Sequence, residues 1–227
     1  MINFKIILNV LGYLLVALSI LLIVPIIIDL ISGNESWKSF LISLIITLGF
    51  GVTFLLSTRN ELKNKILTQD AFLITTLSWI FISIFGALPF FFLDSSLSLT
   101  NSIFESMSGI TTTGSTIFNE VENLPQGILI WRSILQWVGG VGIIVMAVSI
   151  LPVLQVGGMQ VFRTESSDTT DKILPRTTQV ASAVILIYII LTVTCLIAYW
   201  VGGMNLFDAI VHSMTTICLL YTSPSPR

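Results

Sequence analysis

Five long apolar segments decide what this chain can fold into. About 20 apolar residues in a helix are needed to cross a bilayer core of about 30 Å. Segments at about Ile6–Ile31, Trp37–Ser57, Ala71–Leu93, Ile128–Leu151 and Val180–Val201 all meet that length. Prolines and glycines set their expected limits: Pro25 kinks the first segment, Pro89 lies near the end of the third, Pro152 stops the fourth, and Gly202-Gly203 stop the fifth. Only 10% of the residues are charged and 54% are hydrophobic, against about 25% charged in a soluble domain. A soluble globular fold is thereby excluded, and the chain reads as an all-α polytopic membrane protein. The net charge of -2 gives no electrostatic footprint for nucleic acid. The first segment exceeds the about 7–15 residues of a signal-peptide core and no small-x-small site closes it, so it reads as a retained helix. Trp37, Trp131 and Trp200 fall at segment ends, where amphipathic rings prefer the membrane interface.

The basic residues give an orientation. Arg59, Lys63 and Lys65 lie between the second and third segments, and Arg163, Lys172 and Arg176 between the fourth and fifth. Both loops are expected to be cytoplasmic. The N-terminus is then cytoplasmic as well, in agreement with Lys5, and the stretch from Asp94 to Gln126, which has no Lys or Arg, is external.

That external stretch carries the most informative residues. It reads Leu99-Thr-Asn-Ser-Ile-Phe-Glu-Ser-Met-Ser-Gly-Ile-Thr-Thr-Thr-Gly-Ser-Thr116. Asn101 or Ser102 is a candidate cap for a short helix whose apolar face is Ile103, Phe104, Met107 and Ile110. The helix is too short to span and runs into Thr111-Thr112-Thr113-Gly114. A short helix followed by a small polar run, between two full spans, fits a re-entrant pore loop. Irregular backbone at membrane depth is tolerated only where protein buries it or water bathes it. Potassium filters replace the ion's hydration shell with backbone carbonyls, glycine permits the backbone angles this needs, and the helix C-terminus faces a cation with its negative end. The competing reading is an ordinary external Ser/Thr-rich loop.

Two features bear on that choice. The fourth segment reads Trp131-Arg-Ser-Ile-Leu-Gln-Trp-Val-Gly-Gly-Val-Gly142. Gly139, Gly140 and Gly142 allow close backbone approach. Arg132 and Gln136 lie one turn apart near the external end, where Arg132 either snorkels to the interface or serves beside the pore loop. The second feature is a partial repeat. After the fifth segment comes Asn205-Leu-Phe-Asp-Ala-Ile-Val-His-Ser-Met-Thr-Thr216, so an apolar span, a short helix with an aromatic-acidic pair and a threonine run occur twice. Glu105 and Asp208 read as structural or field-setting residues, and His212, the only histidine, as a packed or interfacial residue rather than a proton relay. Cys195 and Cys218 form no motif, no His/Cys cluster offers a metal site, and no buried acid–base or nucleophile–base pair supports an enzyme.

The motifs Phe104-Glu-Ser-Met-Ser-Gly-Ile-Thr-Thr-Thr-Gly114, Trp131-Arg-Ser-Ile-Leu-Gln-Trp-Val-Gly-Gly-Val-Gly-Ile-Ile-Val145 and Val156-Gly-Gly-Met-Gln-Val-Phe-Arg163 resemble the bacterial TrkH/TrkG/KtrB-type potassium uptake proteins, closest to the TrkH branch. Lys172 with Pro175-Arg176, and Phe207-Asp-Ala-Ile with His212-Ser213, match too. The resemblance implies two leading helices within 1–66, a first helix–pore loop–helix repeat with its cytoplasmic loop over 67–177, and an incomplete second repeat over 178–217. It implies K⁺ uptake across the bacterial inner membrane, with the filter on Thr111, Thr112, Thr113 and Gly114 and ion contacts chiefly from the Thr112 and Thr113 carbonyls. Glu105, Arg132, Gln136, Gly139 and Gly140 are the expected supports. The implied partners are K⁺ itself, membrane lipid, a second copy in a homodimer and a cytosolic nucleotide-binding regulatory subunit; no prosthetic group is expected. Family spacing places a second filter near Leu219-Leu220, where the chain instead reads Ile217-Cys-Leu-Leu-Tyr-Thr-Ser-Pro-Ser-Pro-Arg227, so 218–227 is expected to be an aberrant tail from a truncated or misread gene end, with a natural short variant as the alternative. The rival function is a non-conducting membrane subunit whose threonine-rich loop is structural.

Overall fold

A computed structural model describes residues 3–58, 68–93, 97–154 and 173–218. Among the described residues the chain is helical, and five helices are long and apolar enough to cross a membrane. The first span is two consecutive pieces, α1 (Phe4–Leu21) and α2 (Ile23–Ser32), broken at Leu22. The break has a direct cause. The Pro25 ring clashes with the carbonyl four residues earlier, that of Leu21, and removes its hydrogen-bond donor. Then follow α3 (Trp37–Thr58), α4 (Thr68–Leu93), a short α5 (Leu99–Ile110), a single 3-10 turn (Val121–Asn123), α6 (Gln126–Leu154), α7 (Ile173–Val201) and a second short helix, α8 (Leu206–Ile217).

Two expected limits shift. Pro152 does not stop the fourth span, since α6 runs on to Leu154. The fifth span starts at Ile173, so Pro175 and Arg176 lie in the first turn of α7 rather than in a loop; proline is tolerated there because the first N–H groups of a helix have no partner to lose. Gly202-Gly203 end α7 as expected. The N–H of Met204 reaches the Tyr199 carbonyl at 3.1 Å and that of Gly203 the Trp200 carbonyl at 3.1 Å, with Gly203 left-handed at φ 98°, the Schellman pattern of a helix C-terminus.

α1 lies against α3 and α4, α2 against α3 and α6, α5 is wedged between α4 and α6, and α8 between α6 and α7. The core sits where α4, α5 and α6 meet the leading pair: Phe40, Phe90, Ile128, Trp131 and Leu135 are fully or almost fully buried. Trp131 corrects its interfacial reading. It is completely buried, its indole N–H donates to the Gly86 carbonyl at 3.0 Å, and it meets Phe40 edge-on with ring centroids 6.4 Å apart. A span-end tryptophan serves the core when its N–H finds a partner there. Trp200, by contrast, is exposed, as is a broad face of α7 that includes Leu186, Ile187, Ile190 and Leu191. Exposed aliphatic surface of this kind suits hydrocarbon, and a membrane protein turns its polar and small residues inward instead. Inward hydroxyls are satisfied locally, as Ser43 and Thr47 are by the carbonyls four residues back at 2.7 Å each. The basic loop residues Arg59, Lys63, Lys65, Arg163 and Lys172, the 156–163 motif and residues 219–227 lie outside the described residues.

Candidate functional site

The site is built on α5. Its N-cap is Ser98, whose side chain accepts from the Asn101 N–H at 3.2 Å. Asn101 and Ser102, the candidate caps in the sequence, lie inside the first turn. The inner face of α5 also differs from the apolar face expected. Ser102, Glu105, Ser106, Ser108, Gly109 and Ile110 are buried, whereas Phe104 is half exposed. Small and polar residues let this short helix approach α4 and α6 closely.

The helix ends in a tight turn that carries the candidate filter. The Thr113 N–H reaches the Ser108 carbonyl at 3.0 Å and the Thr112 N–H the Gly109 carbonyl at 2.9 Å. This is the Schellman pattern again, with Thr112 in the left-handed position at φ 56°. Left-handed backbone is rare for a β-branched residue and costs on the order of 1–3 kcal/mol. Two residues on, Gly114 is also left-handed, at φ 81°. Hydroxyl bonds brace the turn: Thr111 Oγ1 donates to the Met107 carbonyl at 2.7 Å and lies 2.8 Å from Thr113 Oγ1, and Ser108 Oγ donates to the Ser115 carbonyl at 2.6 Å. Among the described residues, no hydrogen bond ends on the carbonyl oxygens of Thr111, Thr112, Thr113 or Gly114.

Glu105 ties this turn to the bundle. Its carboxylate is buried and accepts from Thr116 Oγ1 at 3.0 and 3.1 Å, from the Ile117 N–H at 2.9 Å and from Arg132 Nε at 2.6 Å. Arg132 therefore does not snorkel to the interface: it pairs inward with Glu105. Its side chain is itself mostly covered, 14% exposed, so the pair is short, charge-assisted and little screened. One carboxylate thus joins α5, the segment that follows the turn, and α6.

The remaining predicted supports lie further along α6. Arg132, Gln136 and Gly139 follow at helical spacing and face α5. A Cβ at Gly139 would fall on the Ile110 carbonyl, so only glycine lets α6 touch the end of α5. A Cβ at Gly140 would stand 2.7 Å from the Tyr188 hydroxyl, which donates to the Trp137 carbonyl at 3.1 Å and brings α7 against α6. Gln136 is buried and its Oε1 has no donor among the described residues; Ser106 Oγ is the other such atom. The structure therefore brings Glu105 and Arg132 together, seats Gly139 and Gly140 at two helix contacts, and leaves the Gln136 oxygen without a partner among the described residues.

α7 and α8 repeat the order of α4 and α5, with one change of register. α8 has the same length as α5 and is capped by Asn205, which accepts from the Asp208 N–H at 2.8 Å and donates to the Asp208 carboxylate at 2.6 Å. Asp208 is thus half of a cap and not the counterpart of Glu105, as the aromatic-acidic pairs had implied. Counting from the caps, the residue matching Glu105 is His212. It is exposed, and its ring meets that of Tyr199 at 6.3 Å. Ser106 and Ser213 match by the same count, and both are fully buried.

Asp29 is a residue that sequence reasoning passed over. It lies near the end of α2, is fully buried, and accepts from Ser36 Oγ at 2.6 Å and from the Gly127 N–H at 2.7 Å. It was hidden because an acid at the rim of an apolar segment reads as the start of a loop. Its partner in α6 is 98 residues away.

Comparison with known proteins agrees with this architecture. The family model TrkH, described as a cation transport protein, matches residues 36–223. The potassium uptake protein TrkH of Halomonas elongata is 43% identical over 220 residues, covering 96% of this chain and 45% of the relative. The protein of the same name from Escherichia coli K12 is 40% identical with the same coverage. The crystal structure of the potassium transporter TrkH from Vibrio parahaemolyticus superposes with a TM-score of 0.78 at 36% identity, over 94% of this chain and 42% of that one. The chain thus spans less than half the length of these relatives. With its helix order, its short capped helix and these matches together, the chain belongs to the TrkH family of cation transport proteins.

Proposed function

We propose that this chain forms part of a K⁺ uptake pore in the bacterial inner membrane, with its N-terminus cytoplasmic and Thr111–Gly114 lining the ion path. The observation that carries this reading is the turn after α5. Four consecutive carbonyls there accept no hydrogen bond among the described residues, and the backbone is left-handed at Thr112 and Gly114. Unpaired carbonyls at membrane depth cost free energy unless something replaces a donor, and a cation that sheds water does so. The C-terminal end of α5 adds its negative partial charge at the same place. Glu105, Arg132 and Gly139 hold the turn against α6, and the Glu105–Arg132 pair is internally neutral, so it adds little net field at the ion. In the membrane, lipid covers the exposed aliphatic faces; a second copy and a cytosolic nucleotide-binding subunit complete the assembly on this reading.

The test is a chimera. Residues 3–217 of this chain replace the aligned segment of the Escherichia coli relative, in a host lacking K⁺ uptake. Growth at low K⁺ is expected, with Gly114→Ala abolishing discrimination between K⁺ and Na⁺. A chimera that inserts at normal levels but supports neither growth nor Rb⁺ influx would favour the rival, a membrane subunit whose threonine-rich loop is purely structural.

A further inference from the structure

We infer that Asp29, on the leading pair of helices, is a positioning residue for the candidate filter, acting as an N-cap in trans for α6; this rests on the pore reading above. The first N–H groups of a helix have no partner within the helix and carry its positive end. In α6 the residue before the helix is Pro125, which has no side-chain oxygen to offer. Asp29 fills that role from another element. Its Oδ1 accepts from the Gly127 N–H at 2.7 Å, and its Oδ2 is held by Ser36 Oγ at 2.6 Å. A second tie lies beside it, where Ser32 Oγ donates to Gln126 Oε1 at 2.5 Å. The fit is close, since a Cβ at Gly127 would overlap the Asp29 carboxylate. A carboxylate without any exposure is costly unless it is fully hydrogen-bonded, and here the partner is the end of the helix that holds the filter.

The route to the filter is short. Five residues after Gly127, Arg132 pairs with Glu105 at 2.6 Å, and Glu105 in turn holds Thr116 and Ile117 just past the filter. The cap therefore sets the height and rotation at which α6 presents Arg132. The leading pair does more than add apolar surface; through Asp29 it fixes one support of the ion path.

Hydrogen exchange on the chain in lipid nanodiscs tests this directly. Asp29→Ala is expected to speed exchange of the 127–129 amides about 5–30-fold, the effect of losing one cap, and also to speed exchange of the Thr113 and Gly114 amides, which bond back to Ser108. A merely local cap would move only the first set. Asp29→Asn keeps an oxygen for Gly127 and should recover part of both. Asn9→Ala, which removes the bond to Thr58 at the other end of the leading pair, should leave both sets unchanged. Unchanged exchange at Thr113 and Gly114 in Asp29→Ala, or an equal change there in Asn9→Ala, overturns the proposal. In the chimera, Asp29→Ala should lower K⁺ over Na⁺ discrimination several-fold at equal insertion, and unaltered discrimination also overturns it. A parental chimera that does not transport sinks the pore reading instead, and the exchange results then judge the link from Asp29 to the turn on their own.

Discussion

The ends of α5 and α7 are the same backbone turn made with different residues. Both close with the paired carbonyl bonds of a Schellman motif, and both place the next residue in the left-handed region. After α7 that residue is Gly203, which reaches φ 98° without a side-chain clash, and a Cβ there would meet nothing within 4 Å. After α5 it is Thr112, β-branched and buried. The α7 turn is relaxed. The α5 turn is strained and is held from several sides, by Glu105 through Thr116 and Ile117, by Ser108 through Ser115, and by α6 through the contact at Gly139. Strain of this kind persists only where the surroundings over-determine the conformation, and here it coincides with the carbonyls that carry the functional reading.

The largest effect should come from removing the strongest brace. Glu105→Ala leaves the mostly covered Arg132 guanidinium without its carboxylate. Breaking one side of a buried pair costs about 3–5 kcal/mol, and the Thr116 and Ile117 bonds go with it. Thermal unfolding in nanodiscs should show a loss of that order, and Rb⁺ influx through the chimera should be lost. Asp208→Ala, which removes part of a cap on α8, should cost only about 1 kcal/mol. Equal losses for the two would mean that Glu105 is just another helix-end residue.

Next comes the contact between α6 and the end of α5. Gly139→Ala puts a methyl onto the Ile110 carbonyl, so α6 must retreat, at about 1–3 kcal/mol. Gly142→Ala, three residues on in the same helix, meets nothing within 4 Å and should lie within about 0.5 kcal/mol of the parent. A loss at both positions would point to a general requirement for flexibility in α6 and would remove Gly139 from the list of braces.

The strained turn was only partly legible in the sequence. The spans were, because about 20 apolar residues have few other uses, and so was the position of Thr111–Gly114 between two of them. The cap was not, because Ser98, Asn101 and Ser102 are all good caps and only the backbone path chooses among them. Pro152 misled because a proline disfavours a helix interior without forbidding it. The match of Asp208 to Glu105 failed for a related reason. Residue type suggested it, but each helix is counted from its own cap, which puts His212 opposite Glu105. Asp29 lay beyond any local signal, since its role depends on an amide 98 residues away.

The sharpest test of the comparison comes from exchanging the two left-handed residues, and Thr112→Gly should move stability least. Gly203→Thr forces a β-branched side chain into the relaxed turn and should cost about 1–3 kcal/mol. Thr112→Gly works in the opposite sense. It relieves strain of similar size, but frees the unfolded chain by about 0.4–1 kcal/mol and gives up a buried methyl, about 0.8 kcal/mol. These terms nearly cancel, so the melting temperature should barely change. Discrimination between K⁺ and Na⁺ in the chimera should nevertheless fall, because glycine no longer confines the turn to one shape. If Thr112→Gly instead destabilises as much as Gly203→Thr, then Thr112 is not strained and the contrast between the turns fails. A stable Thr112→Gly protein with diminished selectivity would show that threonine is held at this position for its stiffness rather than for stability.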